Sequence, residues 1–148
     1  MTQDRLPAAL EVLMTGDELT GDELIKQFEG GTTPPGTFHH ADHVRLAFEY
    51  LCRYSVLEAL GRFSEALRRF ANAQGKAQLY HETITWAYLL LIRERMARAG
   101  CAQTWEQFAA HNADLLIWKG GVLTTLYRQE TLDSELARHT FVLPDQGL

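Results

Sequence analysis

Four of the six histidines in this 148-residue chain fall at two places: His39, His40 and His43 in FHHADHVRLAFEYL, and His81 in LYHETITWAYLLLI. Imidazole is suited to shuttling protons or ligating a transition metal near neutral pH, and both runs stand just before apolar helical stretches. Residues three or four apart share a helix face, so His43 pairs with either His40 or His39. The pair His40 and His43 continues into Ala47, Leu51 and Tyr54, a core-facing stripe, whereas His39 leads towards Leu46 and Tyr50. The stripe favours His40 and keeps His39 as the alternate. His81 heads its own stripe through Ile84, Thr85, Tyr88 and Ile92. The exposed N–H groups of a helix start disfavour imidazolium, which leaves these rings neutral. Three neutral imidazoles with one open position suit catalytic zinc, and copper and iron also accept imidazole-rich sites. The expected metal ligands are His40, His43 and His81, with Glu29 or Glu82 as base and Tyr80 orienting a small-molecule substrate.

These residues need helices to position them. The second copy of a tandem TGDEL (15–19 and 20–24) leads into a helix over about Asp22 to Glu29, stopped by Gly30 and Gly31. After the rigid TTPPGT loop, Thr37 is expected to cap a helix over 38–54. Ser55 and Glu58 read as a capping box opening a helix over 55–73, with Leu57, Leu60, Phe63, Leu67 and Phe70 as its stripe. A central helix follows over 79–99, apolar almost all round between Ile84 and Ile92 and ended by Gly100. Thr104 and Gln107 open a fourth over 104–118, with a break expected near Asn112 and a stop at Gly120 and Gly121. Short helices around Val122 to Tyr127 and Ser134 to Arg138 and an extended FVLPD tail complete an all-α, single-domain antiparallel bundle. Short connections alternate the helix directions. That brings the starts of the helices at 38 and 79 to one end, with Glu29, Asp114, Trp118 and Lys119 expected there too.

With 46% hydrophobic and 22% charged residues, the chain can build its core without disulfides or a structural metal. A net charge of -5 lacks the basic balance of a nucleic-acid binder, and Arg62, Arg68 and Arg69 read as solvated surface. Cys52 and Cys101 form neither a disulfide framework nor a zinc ribbon, and Cys101 reads as inert. The acidic start argues against a secretory signal. The longest apolar run, Trp86 to Ile92, falls far short of the roughly 20 residues that span a bilayer. A cytoplasmic protein is expected.

On Phe38, His40 and His43, then Tyr80, His81, Glu82, Thr83 and Thr85, the chain resembles a family of small helical bacterial proteins carrying F-x-H-x-x-H and Y-H-E-T-x-T. The resemblance extends to the Phe141-to-Asp145 tail. It implies one shared site and favours His40 over His39, but it implies no reaction. Three-histidine metal sites in helical bundles of the DinB type are a looser analogy of architecture. The H-E-x-x-H signature of zinc peptidases is missing, since HETIT ends in Thr85, and no nucleophile elbow, Walker A or G-x-G-x-x-G sequence occurs.

Several residues have plainer readings. Glu82 suits a first helical turn whatever its chemistry, Tyr80, Thr85 and Trp118 suit a core, and His111 and His139 suit the surface. Three functions follow: a metal-dependent enzyme acting on a small organic substrate, a metal-free isomerase, cyclase or lyase using His43 or His81, and a binding or assembly module whose apolar faces pair in a homodimer.

Overall fold

The computed structural model describes residues 19–34, 36–100 and 103–147. Among the described residues the chain is an all-α bundle of seven helices with no strand. The helices are α1 (Gly21–Glu29), α2 (His40–Arg53), α3 (Val56–Ala73), α4 (Glu82–Ala99), α5 (Trp105–His111), α6 (Gln129–Leu132) and α7 (Glu135–His139). Most of the first TGDEL copy and Cys101 lie outside the described residues. Among those residues no helix is long and apolar enough to cross a membrane.

The starts follow local chemistry. Thr20 and Glu23 close a reciprocal capping box on α1, and Thr104 and Gln107 do the same on α5. Ser55 caps α3 through the Glu58 N–H, but the Glu58 carboxylate pairs with Arg62 instead of closing the box. The helix expected from Phe38 begins at His40. Thr37 donates to the Pro34 carbonyl (2.6 Å), His39 stays extended with its N–H on the Asp42 carboxylate (2.9 Å), and Phe38 stacks on Phe28 at 4.7 Å. Packing of the Phe38 ring outweighs the Thr37 cap.

Ring contacts fix the antiparallel order. Tyr50, late in α2, meets Phe63, early in α3, while Phe38, ahead of α2, meets Phe70, late in α3. Arg68 then reaches Glu82 at the start of α4 (2.8 Å), and Arg95, late in α4, reaches Asn112 beyond α5 (2.8 Å). Hence α2 and α4 run parallel with their starts adjacent. Leu57 is 79% exposed, and Ala59, Phe63, Ala66 and Leu67 form the buried face of α3 instead. Small alanines let α3 approach its neighbours closely.

The helix expected over 104–118 breaks at Asn112, where a break was expected. It ends at His111, where Asn112 turns its amide back onto the Phe108 carbonyl (2.9 Å), and a 3-10 turn, Ala113–Leu116, carries the chain on. Another 3-10 turn, Val122–Thr125, replaces the helix expected to Tyr127. The C-terminal tail docks on α4: Thr83, fully buried, donates to the Thr140 carbonyl (2.7 Å) and accepts from the Val142 N–H (3.1 Å), and Trp86 stacks on Phe141.

Candidate functional site

Where the starts of α2 and α4 meet, the bundle holds a cavity of about 520 Å³. Apolar wall comes from Phe38, Val44, Phe63, Leu67, Phe70 and Ile84, and polar side chains from several elements complete the lining. This size and composition is usual for a small-molecule site. His40, His43 and His81 all line it, together with Tyr80, Thr85, Tyr88 and Trp118. His39 sits outside, exposed at the α2 N-cap.

The three imidazoles differ in what they have left to offer. His81 is the N-cap of α4, where Nδ1 accepts from the Ile84 N–H (3.2 Å) and Nε2–H donates to the Leu132 carbonyl (2.7 Å). One neutral tautomer satisfies both bonds, so no lone pair is free. Burial holds its pKa below the ordinary value, outweighing the Leu132 carbonyl. His40 donates Nε2–H to the Leu115 carbonyl (2.9 Å), and burial again lowers its pKa more than that bond raises it. Its ring lies between Tyr88 (4.8 Å) and Trp118 (5.2 Å).

His43 has no such tether. Its ring packs on Phe38 at 4.4 Å, and no hydrogen bond to either nitrogen occurs among the described residues. Burial, reinforced by His40 and His39, pushes its pKa down to about 4. His43 therefore presents a neutral ring with a donor and an acceptor open to the cavity.

The expected carboxylates stand elsewhere. Glu29 is exposed, does not line the cavity, and accepts from the Tyr50 hydroxyl (2.6 Å). Glu82 also lies outside the lining and accepts from both Tyr80 Oη (2.6 Å) and Arg68 (2.8 Å). The Tyr80 hydroxyl is thus occupied, its pKa pushed up to about 12 by burial and by Glu82, while its ring, with the Arg68 guanidinium 4.8 Å above, forms wall. Asp114 is drawn off by Arg95 (2.8 Å).

A metal shared by three imidazoles needs a lone pair from each. His81 has none to give, and among the described residues no group of three His, Cys, Asp or Glu side chains is arranged to hold an ion. The donor set does not fit zinc, copper or iron bound by His40, His43 and His81.

Of three further wall residues, Tyr88 was expected on the His81 stripe and Trp118 at this end of the bundle, neither as a site residue, and Arg138 escaped the sequence reading. Tyr88 is buried, its hydroxyl has no hydrogen-bond partner among the described residues, and burial with the nearby Asp114 charge pushes its pKa up to about 12. Trp118, read as packing, is 55% exposed and walls the cavity. The turn after it needs Gly121, where a Cβ would run into the Ile117 carbonyl and stand 3.2 Å from Tyr88 Oη. Arg138 reaches the cavity from α7, and no spacing rule links it to histidines so distant in the chain. Comparison of the chain with protein-family models, with curated proteins and with solved structures finds no match.

Proposed function

We propose that this protein is a metal-free acid/base enzyme that encloses a small, largely apolar organic molecule, with His43 exchanging the proton. The observation that carries the reading is the contrast within one cavity: His40 and His81 have ring nitrogens tied to backbone, while both nitrogens of His43 are open. A neutral imidazole facing a largely apolar cavity accepts a proton from a substrate held against it and returns it from the same nitrogen. Tyr88, a neutral hydroxyl on the same wall, donates a hydrogen bond to a substrate oxygen that gains charge. This chemistry fits an isomerase or lyase, since moving a proton on and off one imidazole nitrogen needs no covalent nucleophile.

The test is deuterium wash-in. Aryl ketones carrying an acidic α-C–H, with phenylacetone as the first probe, are incubated with the protein in D₂O and followed by NMR. Wild type is expected to exchange a bound ketone, and His43→Gln to bind it without exchange. Ketones that bind at the cavity but exchange no faster than in buffer would replace the enzyme reading with a binding module.

A further inference from the structure

Eight arginines among the described residues hold an Asp or Glu carboxylate at 2.6 to 3.7 Å. Arg93 and Arg138 do not. Arg93 is an exposed side chain, but Arg138 is half-buried and lines the cavity. One of its terminal nitrogens donates to the Gln78 carbonyl (3.1 Å), which fixes the guanidinium at the mouth and leaves the other N–H donors without a protein acceptor among the described residues. Lys76 stands on the same wall, also with no acidic partner. Asp133 lines only the adjoining groove that Arg138 also borders and accepts from Gln129 (2.9 Å), and Glu135 of α7 pairs with His139 (3.0 Å). In a chain of net charge -5, two unpaired cations at the mouth of an apolar cavity are a specific arrangement. Guanidinium is built to receive a carboxylate through two parallel hydrogen bonds.

We infer that the cavity takes an amphipathic carboxylic acid, its aromatic or aliphatic body against Phe38, Phe63, Leu67 and Phe70 and its carboxylate on Arg138. This rests on the reading of the cavity as a small-molecule site and adds the substrate class. The acid's charge stays at the wet mouth beside Arg138 and Lys76, so no unpaired charge is buried, and its apolar body supplies the binding energy. A carboxylate anchored at the mouth also gives the molecule one direction, reacting carbons inward towards His43.

The probes are 4-phenylbutanoate and 4-phenylbutanamide, alike in body and different in charge, titrated by calorimetry into the full chain. The acid is expected to bind about tenfold more tightly than the amide, and rising salt should weaken the acid alone. In Arg138→Gln the acid should fall to the affinity of the amide while the amide is unchanged, and Arg138→Lys should retain part of the preference. Equal binding of acid and amide by wild type, or a preference that survives Arg138→Gln, would overturn the carboxylate assignment and leave the small-molecule reading intact. Binding of neither probe overturns both. If Arg138→Gln does not fold, the salt dependence of the wild-type acid-to-amide ratio decides.

Discussion

The imidazole Nε2 of His81 lies 2.7 Å from the carbonyl oxygen of Leu132, joining the start of α4 to the end of α6 across a sequence separation of 51 residues. The same ring caps α4, so one side chain both starts the central helix and fastens the C-terminal region to it. His81→Ala removes an N-cap, worth about 1 kcal/mol, and orphans a buried carbonyl, which costs about 1–3 kcal/mol. A loss of about 2–4 kcal/mol in a urea titration is expected, with His81→Asn recovering the capping share. Full stability in His81→Ala would return His81 to the set of free ligands.

Much of this arrangement was legible beforehand, for identifiable reasons. Helix-period stripes and capping residues located α1 to α4, and short connections brought His40, His43 and His81 to one end. What spacing could not supply is the partner of each polar atom. Whether His81 faces a ligand or the Leu132 carbonyl depends on where α6 lands, and α6 is too short to have a period. Glu29 was placed by topology, yet Tyr50 holds it away from the cavity. The break at Asn112, by contrast, was legible, because an Asn side chain competes for the backbone.

Stability should fall in mild acid. His43 is near 4 in the folded chain against an ordinary value of about 6.5, so the unfolded chain binds the extra proton first. The contribution is fully present above about pH 6.5 and is lost progressively as pH falls towards 4, an upper bound of about 3 kcal/mol. His40 and His81 shift in the same direction. Urea melts between about pH 6.5 and 4.5, where most carboxylates remain ionised, should slope less in His43→Leu than in wild type. Parallel slopes would show His43 solvated and free to protonate.

Removal of the Glu82 charge should leave the ligand site working. Its carboxylate serves Tyr80 and Arg68 outside the cavity lining, so Glu82→Gln is expected to bind 4-phenylbutanamide within about twofold of wild type while losing roughly 1 kcal/mol of stability. A deuterium wash-in rate that collapses in Glu82→Gln but persists in His43→Gln would exchange their roles.

Trp118 offers both a reporter and a gate. Its ring is 55% exposed, packs 5.2 Å from His40, and walls both the main cavity and the adjoining groove. Trp86 by contrast is stacked on Phe141, and Trp105 packs on Phe48 and Phe108. A ligand entering the cavity therefore covers Trp118 and leaves the other two in place, so the fluorescence change on binding should vanish in Trp118→Phe. In Trp118→Ala the bound molecule loses one wall, and dissociation should quicken several-fold in stopped-flow displacement while association changes little. Because the side chain is already half in water, the fold should lose less than about 1 kcal/mol. A fluorescence change that survives Trp118→Phe would place the ligand elsewhere on the bundle, away from His43.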